Sequence, residues 1–148
     1  MFEYKDDDWL ENLPKLQEVI KDHYEELSVT KEFPLDPDWD AYKSLLDINR
    51  LKFITCKDNE ELIGYIIFFI APHLHYRTCL TAFEDIYFLK KEYRKGRTGL
   101  KLFQFAEKTL KNQGINRVIY NTKVHSDNSA LFEYLGYKFV DKVFTKLL

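Results

Sequence analysis

The chain has 148 residues, enough for one domain with a sizeable core, and 45% of them are apolar, including 12 Phe and 10 Tyr. Charged residues make up 31%, but 22 Lys+Arg against 24 Asp+Glu leave a net charge of −2. That balance argues against wholesale binding of nucleic acid or an anionic membrane, which needs a strong positive field, and leaves room only for local basic clusters.

The opening residues MFEYKDDDW are acidic and lack the apolar stretch of a secretory signal. The longest apolar run, 62–72, is interrupted by Gly64 and is too short to span a bilayer. Cys56 and Cys79 stand apart in strand-like runs and are expected to be reduced core residues. These features predict a cytoplasmic globular protein.

In chain order, residues 2–5 form a candidate short first strand. Leu13, Leu16, Ile20, Tyr24 and Leu27 recur at helical spacing and predict an amphipathic helix over about 10–27. Residues 28–34 lead to a second helix, with Asp36 as N-cap and Pro37 at its first position, running to about Ile48 and packed down by Trp39. The period then changes. Residues 51–56 read as a strand, 57–60 as a polar turn and 62–70 as a long buried strand, making 51–70 a hairpin. Residues 78–89 form the next strand and 90–98 a basic loop. Leu102, Phe103, Ala106 and Leu110 share one face of a helix over 99–112, stopped by Gly114. A strand at 117–120, a short helix at 127–134 and a final strand or hairpin at 137–146 complete the order. The strand–loop–helix–strand unit over 80–121 implies a right-handed crossover. The expected class is α/β (α+β), a single domain over 1–148 with a mixed, mostly antiparallel sheet flanked by helices.

The loop Tyr-Arg-Lys-Gly-Arg-Thr-Gly-Leu at 93–100 is an anion site on physical grounds. Glycine permits close backbone approach, free N–H groups at a helix start point at the ligand, and the helix dipole favours negative charge. Arg94, Lys95 and Arg97 add positive charge suited to a pyrophosphate. The pattern is neither a Walker loop nor the dinucleotide Gly-x-Gly-x-x-Gly.

The segment 88–102 resembles motif A of the GNAT acetyltransferase superfamily, an apolar strand end followed by Tyr-Arg/Gln-x-x-Gly-x-Gly/Ala and a helix. Arg94 takes the Arg/Gln position and Gly99 the last glycine, while Arg97 stands at the middle glycine and Gly96 lies one residue earlier. Asn-Ser-Ala-Leu-Phe-Glu-Tyr-Leu-Gly-Tyr at 128–137 resembles motif B, and Leu-Ile-Gly-Tyr at 62–65 is similar to the family's Val-Gly-Tyr strand entry. The chain also resembles a phage- and prophage-encoded branch, through the motifs at 23–26, 34–39 and 72–76; the likeness covers about residues 20–147.

The resemblance implies an N-acetyltransferase that moves acetyl from acetyl-CoA to a primary amine, on a small molecule or a protein lysine or N-terminus, by direct attack in a ternary complex. The co-substrate's pantetheine would pair with backbone at Phe88 and Leu89, and Arg94, Lys95, Gly96, Arg97, Thr98 and Gly99 would hold its pyrophosphate. An N–H near Leu89 would serve the oxyanion. A carboxylate is the natural base, and Glu84 and Asp85 are the candidates; adjacent strand residues face opposite sides, so one of them points into the cleft unless a bulge intervenes. Phe132 stands where the family often has a tyrosine that protonates the thiolate, and Tyr134 points away from it. His125, ahead of the motif B helix, is a candidate for the thioester end.

His23, His73, His75 and Tyr76 are candidate acceptor-side residues. His73 and His75 share a face but lack a third ligand at a convincing spacing, so no metal is expected. The acidic N-terminal half suits a cationic amine or a lysine. Expected partners are the amine acceptor alone, with no nucleic acid or membrane, for a monomer or homodimer. Two other readings stay open: a GNAT-fold protein that binds CoA or a host protein with weak catalysis, and an unrelated α/β protein that binds phosphate or protein through the basic loop.

Overall fold

A computed structural model describes residues 1–148. Its strands β1 (Phe2–Asp6), β2 (Leu51–Asp58), β3 (Glu61–His73), β4 (Tyr76–Leu89) and β5 (Arg117–Ile119) form one sheet in that spatial order. Helices α1 (Trp9–Leu27) and α2 (Trp39–Asp47) precede β2, α3 (Thr98–Asn112) crosses from β4 to β5, and α4 (Ser129–Tyr134) follows β5. Every pairing is antiparallel except β4 with β5, which is parallel across the α3 crossover. The class expected from sequence is therefore the one observed.

The near-continuous apolar runs of β2 and β3 are explained by burial on both faces. On one face Ile54, Cys56, Ile66, Phe68 and Ala82 meet Leu102, Phe103, Ala106 and Leu110 of α3 and Phe132 of α4. On the other, Leu51, Phe53, Tyr65, Ile67 and Phe88 meet Trp9, Leu16 and Val19 of α1, with Trp39 and Tyr42 of α2 alongside. Cys56 is buried and Cys79 half-buried, both as free thiols. No helix is long and apolar enough to cross a membrane.

The entry to α1 is fixed by charge. Asp8 caps the helix, its carboxylate accepting from the Glu11 N–H at 2.7 Å. The adjacent Asp7 carboxylate is completely buried, 2.6 Å from Lys57 Nζ and 3.2 Å from Lys5 Nζ. It also accepts from Thr55 Oγ1 at 2.9 Å. Burial by itself would raise this carboxyl, but the bonds from Lys57, Thr55 and Lys5 outweigh it and hold Asp7 at about 2.

Three local expectations change. The second helix starts at Trp39, because Asp38 rather than Asp36 caps it, accepting from the Ala41 N–H at 2.9 Å. The β2–β3 turn tightens to Asn59 and Glu60, whose φ values of 46° and 69° are those of a two-residue hairpin turn. The final strand or hairpin at 137–146 does not form. Tyr137 is the last anchored residue, donating its N–H to the Phe132 carbonyl at 2.9 Å. Beyond it, Phe139, Val140, Val143 and Phe144 are exposed. No backbone hydrogen bond ties this segment to a neighbouring strand, so its apolar side chains are left in solvent.

Candidate active site

The parallel pair opens into a cleft. β5 pairs only with Thr81, Ala82 and Phe83, while β4 runs on to Leu89. Where the chain leaves β5, the Asn121 N–H donates to the Glu84 carboxylate at 3.0 Å instead of to the β4 backbone. A side chain thus takes the place of a ladder bond, and the edge of β4 from 84 to 89 faces the gap without a strand beside it.

A bulge settles how the two candidate carboxylates point. β3 pairs Ile67 with Ile86 but Phe68 with Glu84, which leaves Asp85 as the extra residue on β4. Glu84 lies on the α3/α4 face opposite Phe68. Asp85 belongs to the other face and accepts from the Tyr42 hydroxyl of α2. Burial raises both: Glu84 is pushed up to about 7 against the opposing Asn121 N–H, and Asp85 is raised less as the Tyr42 bond pulls it back. Glu84 is consequently a carboxylate at the cleft that exchanges a proton near neutral pH, whereas Asp85 is tied into the α2 contact.

The loop after β4 brings basic side chains and unbonded amides together. A short 3₁₀ turn over Lys91–Tyr93 leads to Gly96, whose φ of +70° favours glycine. The amides of residues 95–100 donate to no protein acceptor, and the N-cap of α3 has no side-chain bond. Lys95 and Arg97 are exposed and project without ion-pair partners. Arg94 differs. Its Nε donates to the Leu89 carbonyl at 2.7 Å, its Nη1 and Nη2 both hold the Glu26 carboxylate of α1, and its guanidinium lies 5.5 Å from the Phe88 ring centroid. Arg94 therefore ties α1 to the end of β4, while the free amides, Lys95 and Arg97 face outward.

His23 sits against the same strand end. It is 8% exposed, stacks on Phe88 at 4.9 Å and 14°, and shares a 2.7 Å hydrogen bond between Nδ1 and the Tyr65 hydroxyl. Burial pushes it down to about 4, so it is neutral at pH 7. The unfolded chain takes up this proton first, near 6.5, so stability is full above pH 6.5 and falls as pH drops toward 4. The expected loss is about 3 kcal/mol. Urea midpoints at pH 7 and pH 4.5 check it by comparison: relative to His23→Gln, the parent should lose that amount across the window, the opposing titration of Glu84 being common to both.

Between α1 and the end of β4 lies an open groove of ≈ 440 Å³, lined by Asp22, Glu25, Glu26, Phe88, Lys90, Lys91 and Glu92. His125 is exposed in the loop after β5, and that loop reaches Glu84 through Asn121. Lys123 of the same loop lies close enough to lower both His23 and Glu84. His73, His75 and Tyr76 cluster at the β3–β4 hairpin tip, with His73 5.2 Å from His75 and 5.3 Å from Tyr76 between ring centroids. At about 3.3 Å per residue along β4 the tip is roughly 25 Å from Glu84. The structure thus gathers Glu84, His23, Phe88, Leu89 and residues 94–99 at one end and leaves the 73–76 cluster at the other.

Sequence reasoning missed Tyr87, Asn121, Lys123 and Asn128. The Asn128 amide Nδ2 donates to the Tyr87 hydroxyl at 3.1 Å, beside the Phe132 ring. No spacing rule brings these residues together; they meet through the bulge in β4 and the loop after β5. Glu26 had a signal, a carboxylate one turn from His23 on the same helix.

A parallel pair that stops short of the end of β4, beside a basic turn with unbonded amides, sets an open strand edge next to positive charge. The sequence matches the profile of the acetyltransferase (GNAT) family over residues 13–137, and the chain belongs to that family. It is accordingly an acetyl-CoA-dependent transferase, and the free edge of β4 and the unpaired amides fit the pantetheine and pyrophosphate of that co-substrate. Among curated proteins no sequence matches. Solved structures share the fold. A transcriptional regulator from Bacillus halodurans C-125 superposes with a TM-score of 0.78 at 17% identity, covering 100% of both chains. The aminoglycoside acetyltransferase meta-AAC0020 from an uncultured soil metagenomic sample gives 0.70 at 16% identity, covering 100% of this chain and 96% of that one. A predicted acetyltransferase from Clostridium acetobutylicum, solved with acetyl-CoA, gives 0.72 at 12% identity, covering 99% and 96%.

Proposed function

We propose that the chain is an N-acetyltransferase that moves acetyl from acetyl-CoA to a primary amine by direct attack in a ternary complex, with Glu84 as the general base. The observation that carries this reading is a carboxylate raised to about 7 at the start of the stretch of β4, 84 to 89, that runs on past its pairing with β5. Acetyl-CoA supplies an activated acyl group with a good leaving thiol. Residues 84–89 offer it a backbone edge, the amides of 95–100 with Lys95 and Arg97 take its phosphates, and Glu84 accepts the amine's proton directly or through water. With Glu26 held by Arg94, the groove beside Phe88 still carries Asp22, Glu25 and Glu92 against Lys90 and Lys91. That excess of negative charge supports a cationic acceptor, a polyamine or a lysine side chain. The phage-like motifs support action in a bacterial cytoplasm.

Phe132 favours a second reading, a CoA-binding protein with weak catalysis. It is buried, stacked on Tyr120 at 4.9 Å and 9°, and its ring carries no proton to give. A thiol-release assay across cationic amines and lysine peptides separates the two readings. Release with at least one amine supports the enzyme; tight CoA binding with silence throughout supports the binder. For the cradle, the double variant Lys95→Glu/Arg97→Glu is expected to weaken acetyl-CoA binding tenfold or more, at least about 1.4 kcal/mol by calorimetry. Unchanged affinity in a folded variant removes the assignment.

A further inference from the structure

Tyr87 is the residue whose placement the bulge changes most. Three positions apart on a regular strand, Glu84 and Tyr87 would face opposite sides. Because β3 pairs Phe68 with Glu84 and Ile66 with Tyr87, both lie on the α3/α4 face, along the unpaired edge of β4. The Tyr87 ring is held edge-on by Phe103 at 5.3 Å and 74°, Tyr120 at 6.2 Å and 86°, and Phe132 at 5.9 Å and 89°. Its hydroxyl oxygen accepts from Asn128 Nδ2 at 3.1 Å, and Thr122 also stabilises the phenolate oxygen, so with both as donors the phenol keeps its own hydrogen to give.

We propose that the Tyr87 hydroxyl is the proton donor to the departing CoA thiolate, with Asn128 as its positioning residue and Glu84 as the source that restores its proton. The assignment rests on the N-acetyltransferase reading. When the amine's adduct collapses, the C–S bond breaks and its electron pair stays on sulfur; the Tyr87 O–H then breaks as the S–H forms. The proton that Glu84 removed from the amine returns to the phenolate, directly or through water. One proton leaves nitrogen and one arrives at sulfur, so the cycle needs no other donor. The direction is downhill overall, because a carboxylic acid near 7 gives its proton to a thiolate whose conjugate thiol has a reference pKa of about 8.5. Burial raises the phenol, so it stays protonated until sulfur demands the proton.

The test is Tyr87→Phe in the full chain, checked for folding by its melting temperature. The kcat is expected to fall about ten- to a hundredfold with KM for acetyl-CoA within about twofold, and Tyr87→Phe/Phe132→Tyr is expected to recover most of the loss by returning a hydroxyl to the same aromatic box. A second readout needs no turnover. The thiol of bound CoA, titrated by its ultraviolet thiolate absorbance, should ionise at higher pH in Tyr87→Phe than in the parent, because the hydrogen bond to the thiolate is gone. An unchanged titration overturns the assignment whatever the rates, as does an unchanged kcat or a loss confined to CoA affinity. A parent that releases thiol with no amine fails the N-acetyltransferase reading, and the titration still decides Tyr87.

Discussion

A Glu84→Gln enzyme is expected to lose about 10²- to 10⁴-fold in kcat, the range of a positioned general base, with acetyl-CoA affinity within about twofold of the parent. The parent's activity should rise with pH through about 7, as Glu84 ionises, and the variant should lack that limb. Stability moves the other way. The carboxyl titrates near 4.5 when unfolded and about 7 when folded, so the unfolded chain releases its proton first and stability falls as pH rises between those values. Glutamine keeps an acceptor for the Asn121 N–H and has no such charge, so the variant should be more stable than the parent at pH 8, by about 2 kcal/mol. Steady-state rates with urea melts at pH 5 and pH 8 measure both effects. Full activity in Glu84→Gln, with loss in Asp85→Asn, would move the base to the α2 face.

Asp7→Ala is expected to destabilise the fold by about 3–5 kcal/mol, because it leaves the buried Lys57 ammonium without its carboxylate. In a domain of this size that lowers the melting temperature by about 10 °C or more. Asp7 is held at about 2 against an unfolded value of 3.8, so its contribution is complete above 3.8 and lost as pH falls toward 2. Asp7→Ala/Lys57→Met removes both charges and should cost less than Asp7→Ala alone. A double variant at least as unstable as the single one would mean that packing, not the stranded charge, sets the cost. The effect bears on the site, because Asp7 precedes the Asp8 cap of α1, and α1 carries His23 to Phe88 and Glu26 to Arg94.

Much of the site's scaffold was legible in the residues. Helical spacing marked α1 and α3, the apolar run at 62–70 marked the central strand, and the basic turn at 93–100 marked the anion cradle. Local pattern failed where it lacked a local cause. The apolar residues at 139–140 and 143–144 look like a strand in composition, yet no strand beside them takes up their backbone. Arg94, expected in the pyrophosphate loop from its place in the motif and its charge, also bonds Glu26, 68 residues earlier in the chain, a contact no local pattern foretells. His73, His75 and Tyr76 form a conspicuous motif, but a long hairpin carries them to the far end of β4.

The chain's sequence by itself determined the family, the sheet's two-sided burial and the position of the basic turn before α3, because each follows from spacing along one segment. Tertiary structure decided which of the two carboxylates lies on the α3/α4 face and which tyrosine shares that face. One extra residue at Asp85 reverses the alternation of β4 downstream, and only the pairing with β3 reveals it. It also decided the pKa values near Glu84 and His23, because burial is set by elements remote in sequence. Burial raises the Glu84 carboxyl to about 7 and keeps the His23 imidazole neutral at pH 7.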